Sequence, residues 1–151
     1  MKFTKCIFLT ALLFAPFIGF CQDDAPAKEA LKLFSHNKRA IERKNDGVIQ
    51  EPEVFTSDLN SDGLPDCILS FVITPKGGGN LILGHESYVY INTGKRMKFS
   101  TAFPRFKFCY GIDHVKNNFI YLKQYECAPP YNVFLKESKL AYRREKIIEV
   151  Q

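Results

Sequence analysis

The chain has 151 residues, a formal net charge of +5, 46% hydrophobic and 14% aromatic residues, and five cysteines. That length sustains one hydrophobic core and excludes an array of domains. The charge balance is mild, and Lys2 and Lys5 contribute part of it, which excludes the dense basic surface that nucleic acid recruits.

Residues 1–21 read as an export signal. Lys2 and Lys5 supply a positive start, Ile7 to Ile18 is almost wholly apolar, and Gly19-Phe20-Cys21 offers small residues at the two positions a signal peptidase reads. The apolar run is too short to span a membrane as a helix. Cleavage after Cys21 leaves one domain, residues 22–151, in a secreted or periplasmic location. The rival reading is a structural envelope lipoprotein anchored through Cys21, the only route to a membrane; Phe20 opposes it, because a small residue normally precedes a lipidated cysteine.

A single helix is expected from Pro26 to Lys44, capped by Asp23 or Asp24 and ended by Asn45-Asp46-Gly47. Ala27, Ala30, Leu31, Phe34 and Ile41 fall on one stripe at helical spacing, with Lys28, Glu29, Lys38, Arg39 and Arg43 pointing away. Beyond it, runs rich in β-branched and aromatic residues predict strands at Glu53 to Ser57, Asp66 to Thr74, Ser87 to Asn92 and Met97 to Ala102. Further strands are expected at Phe106 to Asp113, Phe119 to Glu126, Tyr131 to Glu137 and Leu140 to Glu149. The gaps carry turn residues, among them Asn92-Thr93-Gly94-Lys95, Asn117-Asn118 and Ser138-Lys139. The fold class is therefore mainly β (α+β): an antiparallel meander forming a sandwich or open barrel, with one N-terminal amphipathic helix packed on it.

Cysteine usage fits an oxidising compartment. Once the leader is removed, Cys67, Cys109 and Cys127 remain, enough for one bridge and one free thiol. Cys109 and Cys127 are equidistant from Asn118, so a hairpin centred there sets them directly opposite, with Cα atoms about 4.5–5.5 Å apart and within disulfide reach. Cys67, inside the apolar run Cys67 to Ile73, is expected to be a buried thiol.

The segment Asp58-Leu59-Asn60-Ser61-Asp62-Gly63-Leu64-Pro65-Asp66 carries oxygen-bearing side chains at its first, third, fifth and ninth positions, with glycine at the sixth. Calcium takes six to eight hard oxygen ligands, and a tightly curled loop supplies them by aiming alternate side chains inward; a backbone carbonyl, here that of Leu64, completes the set. Carboxylates so close repel one another, and a divalent cation turns that repulsion into attraction. An EF-hand ends with glutamate at its twelfth position, where this chain has Leu69. The pattern Asp-x-Asn-x-Asp-Gly-x-x-Asp running into a strand instead resembles the calcium loop of FG-GAP and VCBS-type repeats. The resemblance covers Val54 to about Ile73 and implies calcium held by Asp58, Asn60, Asp62, Leu64 and Asp66. No second copy of the loop occurs, so it does not imply a propeller. The ion's expected role is structural.

No catalytic residues are assigned. His36, His85 and His114 lie in separate regions and read as surface or turn histidines, and Ser57, Ser61, Ser87 and Ser100 lack a nucleophile-elbow context. The loop-like segment Gly77 to Glu86 and the segment Cys127-Ala128-Pro129-Pro130-Tyr131 are the expected binding surface. The aromatic residues Tyr88, Tyr90, Phe106, Phe108, Tyr110, Tyr121 and Tyr131 read as core. The basic residues Lys95, Arg96, Lys98, Arg105 and Lys107 read as solvated strand faces. The expected function is an exported, non-enzymatic, calcium-stabilised domain that binds a protein or an envelope glycan. The alternative is a cell-wall or carbohydrate-active enzyme using acids such as Glu86 or Glu126, which requires two close carboxylates in a cleft.

Overall fold

The computed structural model describes residues 25–78, 81–127 and 133–150. The leader with Cys21, the expected caps Asp23 and Asp24, and Tyr131 lie outside those residues. Helix α1 spans Ala25–Lys44, and its buried residues are Ala30 and Phe34 on the apolar stripe. The chain leaves the helix through Asp46, whose φ of 47° is the left-handed conformation that Asx residues tolerate.

Among the described residues, nine strands follow in two antiparallel sheets. The first sheet contains β1 (Gly47–Ile49), β2 (Glu53–Ser57), β3 (Asp66–Pro75), β4 (Gly84–Asn92) and β5 (Met97–Ala102). Its order is β1-β3-β4-β5, and β2 pairs with the lower half of the β3 edge that β1 occupies higher up. The second sheet is a plain meander of β6 (Cys109–Lys116), β7 (Phe119–Tyr125), β8 (Phe134–Arg143) and β9 (Lys146–Val150). Neither sheet closes on itself, so the arrangement is sandwich-like rather than a barrel.

Strand β3 is buried almost throughout, and its alternation sorts two cores. Cys67, Leu69, Phe71 and Ile73 share one cluster with Ala30 and Phe34 of α1, and the Phe34 and Phe71 rings lie 4.8 Å apart. Ile68 belongs to the second cluster, between the sheets, with Leu59, Val89, Tyr110, Ile112, Ile120, Leu122, Leu140 and Ile147. Each such aliphatic side chain removed from water contributes about 1.5–3 kcal/mol.

Several elements differ from the sequence expectation. Strand β1 was not foreseen, because three residues are too few to show an alternating pattern; Gly47 is needed there, since a Cβ would lie 2.6 Å from Ile73 Cγ2 and 2.7 Å from the Thr74 carbonyl. Ser138-Lys139 is not a turn: β8 runs straight through it, with the Lys139 ammonium 3.6 Å from the Phe119 ring centroid. The turn falls instead at Arg144-Glu145, with φ of 50° and 61°. Glu29 does not point away, because its carboxylate accepts the Met97 N–H at 3.1 Å.

Cys109 and Cys127 form a disulfide with Cα atoms 5.2 Å apart, and Cys67 is free and buried. The pairing was foreseen but its register was not. The turn is centred between Asn117 and Asn118, and a bulge between Ile112 and His114 shifts β6 by one residue more, so Cys109 faces Tyr125 and Cys127 reaches its partner from just beyond the end of β7.

The tight hairpins β4–β5, β6–β7 and β8–β9 gather at one end of the sandwich together with the β2–β3 loop, where Asn118 Nδ2 donates to Ser61 Oγ. The opposite end carries the longer connections and the disulfide.

Candidate functional site

The β2–β3 loop folds its acidic side chains back on its own backbone. Asp58 Oδ1 accepts the N–H groups of Ser61 (2.7 Å) and Asp62 (3.2 Å), and Oδ2 accepts that of Gly63 (2.9 Å). Asp62 Oδ1 accepts the Leu64 N–H at 2.8 Å, while Asn60 donates its amide to Asp62 Oδ2 and accepts the Asp62 N–H. The curl needs left-handed backbone at Ser61 (φ 66°) and Gly63 (φ 82°), and glycine supplies the second without strain. Asn60, Ser61, Asp62 and Gly63 are exposed, whereas Leu59 is anchored in the inter-sheet core.

Asp66 is the exception among these acids, being 0% exposed at the start of β3. Its Oδ2 accepts the Leu59 N–H at 2.9 Å and its Oδ1 the Asn92 N–H at 2.8 Å, so one carboxylate closes the loop and ties it to the end of β4. Burial pushes the Asp66 carboxyl above its ordinary value; the Asn92 and Leu59 N–H groups pull it back, and the charges of Asp62 and Asp58 raise it further. Among the described residues, no group of three or more His, Cys, Asp or Glu side chains is arranged to hold a metal ion. Asn60 and the Leu64 carbonyl are not of those types; a carboxylate oxygen has two lone pairs, so those that accept a single N–H, namely Asp58 Oδ2, Asp62 Oδ1 and both oxygens of Asp66, keep one for a cation, whereas Asp58 Oδ1 accepts two.

Sequence reasoning missed a second polar group. His85 is neither a surface nor a turn histidine: it lies on β4, half-buried and stacked on Tyr110 with centroids 4.4 Å apart. Its Nε2 is 2.8 Å from Ser70 Oγ; Ser87 Oγ donates to Ser70 Oγ at 2.9 Å, and the Tyr110 hydroxyl donates to Ser87 Oγ at 3.0 Å. Ser70 Oγ accepts from Ser87 and has its own proton to donate to a neutral Nε2. Burial holds His85 below its ordinary value and pushes the Tyr110 hydroxyl up to about 12. The signal was available in the alternation of His85, Ser87, Val89 and Ile91, which puts two polar residues on an inward face. Ser70 is 4% exposed, so this Ser–His contact offers no nucleophile to a substrate. His36 and His114 are exposed, as expected.

Of the two acids named for an enzyme, Glu86 lines a cavity of about 550 Å³ at the disulfide end with His85, Arg105, Phe106, Phe108 and Tyr110. Glu126 is exposed and does not line it. No second carboxylate joins Glu86 in that cavity among the described residues. Tyr88 was expected to be core; it is half-buried, and its hydroxyl donates to Glu86 Oε2 at 2.8 Å. No described helix is long and apolar enough to cross a membrane.

The fold and site thus define a two-sheet β protein with a helix, an internal disulfide and an acidic inter-strand loop. Comparison with known proteins found no matching family, no similar curated protein and no similar solved structure.

Proposed function

We propose that the chain is an exported, non-enzymatic binding module whose sheets are braced by a structural calcium ion at the β2–β3 loop. Asp58, Asn60 and Asp62 would hold the ion together with the Leu64 carbonyl and Asp66, and the ion would supply charge neutralisation, not chemistry on a substrate. The observation that carries the reading is the gathering of Asp58, Asn60, Asp62 and Asp66 in a single curled turn with the Asp66 carboxylate buried at its end, and carboxylates so gathered repel one another. Backbone N–H groups relieve such repulsion in part; a divalent cation removes it. The contacts of Phe34 with Phe71 and of Glu29 with Met97 support α1 as a fixed cover of the first sheet. The disulfide is consistent with export.

The test is calcium titration by calorimetry, with thermal melts in calcium and in EGTA. A ligand at one hundred times its dissociation constant stabilises by about 2.7 kcal/mol, so the melt should move up by several degrees. Coincident melts and a flat titration would reject the ion.

A further inference from the structure

The helix leaves one corner of the first sheet uncovered. Glu29, near the start of α1, is bonded to Met97 of β5, and Glu42, near its end, accepts the Ile49 N–H of β1 at 3.0 Å. These two contacts fix α1 on a diagonal. The far corner, where β4 begins and β5 ends, therefore faces a groove of about 350 Å³ lined by Asn37, Lys44, Glu86, Tyr88, Phe99 and Ala102 among others. Lys44, Glu86, Tyr88 and Ala102 also line the 550 Å³ cavity at the disulfide end, so the two concavities form one continuous cleft.

The cleft is aromatic along its floor and polar at its rim. Phe99 is 46% exposed although its ring meets those of Tyr88 (5.4 Å) and Tyr90 (5.7 Å) in T-shaped contacts. Farther along stand the half-buried Phe106 and Phe108, with Phe103 buried in the core behind them. The side chains of Asn37, Lys44 and Arg105 make no hydrogen bond or ion pair among the described residues, and Glu86 Oε1 is free beside the Oε2 that Tyr88 occupies. Orientation-fixing polar groups around an apolar floor are the usual make-up of a small-ligand site.

We infer that this cleft binds an acidic oligosaccharide, with sugar rings stacked on Phe99 and the aromatic floor and their anionic groups held by Lys44 and Arg105. This deepens the reading of the chain as a binding module and rests on it. A sugar ring has an apolar C–H face and a hydroxyl edge, which matches an open aromatic ring flanked by Asn37 and Glu86. Two cations unpaired among the described residues, against one half-used carboxylate, select an anionic chain over a neutral one.

The test uses the whole mature chain titrated by calorimetry with a galacturonic acid hexamer and, separately, a neutral N-acetylglucosamine hexamer. The acidic hexamer should bind, Phe99→Ala should weaken it by about ten-fold or more, and Lys44→Gln with Arg105→Gln should erase its advantage over the neutral one. Melting curves on the same samples establish that the variants are folded. Silence toward both hexamers overturns the proposal, as does binding that Phe99→Ala leaves intact, which moves the partner surface elsewhere. The calcium-dependent melt, read in parallel, keeps the two readings apart: sugar binding without a calcium response removes only the ion, and a calcium response without sugar binding removes only the cleft.

Discussion

The Tyr110 hydroxyl, carried by the second sheet, donates a hydrogen bond to Ser87 Oγ of the first at 3.0 Å, so a polar chain from Tyr110 through Ser87 and Ser70 to His85 crosses the interface between the sheets. Every donor in it has an acceptor, and no buried side-chain polar atom among the described residues is left unpaired. Such a chain fixes how the two sheets face each other, because sliding them breaks its bonds while apolar contacts merely exchange.

Tyr110→Phe removes the donor that starts the chain and leaves the remaining hydroxyls satisfied, so the loss should be about 1 kcal/mol. Ser70→Ala is worse: it strands His85 Nε2 and the Ser87 hydroxyl together, at about 1–3 kcal/mol. Urea unfolding of the two variants checks the ranking, and an equal effect would mean the chain is not connected as described.

The same chain makes stability depend on pH. Burial holds His85 below its ordinary value, opposed by the Tyr110 backbone and the charge of Glu53, so the folded protein favours the neutral ring. That contribution is complete above about pH 6.5, where an unfolded histidine is neutral, and is lost as pH falls through the lower folded-state value. A charged ring would also turn Nε2 into a donor toward Ser70 Oγ, and the Ser70 hydroxyl proton would lose its acceptor. Melts stepped downward from neutral pH should show a decline that His85→Gln flattens; the same decline in both proteins would assign it to other groups.

Asp66 and Asp62 separate the architecture of the loop from its ion. Asp66→Asn keeps one of two acceptor oxygens, so the Leu59 or the Asn92 N–H loses its partner and stability should fall by about 1–3 kcal/mol even in EGTA. Asp62→Ala touches only exposed loop bonds and should cost little in EGTA while abolishing the calcium-induced rise in melting temperature. An Asp62→Ala protein that still responds normally to calcium would mean that the ligand set is wrong.

Cys109 and Cys127 should appear joined in non-reducing peptide maps, and replacing both with serine should lower stability by about 3 kcal/mol, as expected for a loop of this length. Cys67 should resist alkylation until the chain unfolds, because burial, aided by the Asp66 charge, pushes its thiol up to about 12.

The β8–β9 turn places Arg144 and Glu145 in left-handed backbone, which costs an L-residue with a Cβ roughly 1–2 kcal/mol. Replacing the pair with Asn-Gly, the sequence this hairpin geometry prefers, should raise stability by about 1 kcal/mol or more. Chemical denaturation measures it directly.

The sequence by itself determined the mainly β character, the position of the helix in the chain, most strand spans and the identity of the bridged cysteines, because each follows from local pattern: side-chain alternation, turn residues at Asn117-Asn118, and spacing about a hairpin. Local pattern failed where a distant partner overrode it. Arg144-Glu145 has no turn chemistry, yet pairing of β8 with both β7 and β9 forces the bend there, and Ser138-Lys139 stays extended for the same reason. The folding of the chain into two sheets, the bulge that displaces Cys127, the burial of Asp66 and the meeting of His85 with Tyr110 were decided only in three dimensions. They depend on which residues of one sheet face the other, and that is set by packing between strands far apart in the chain.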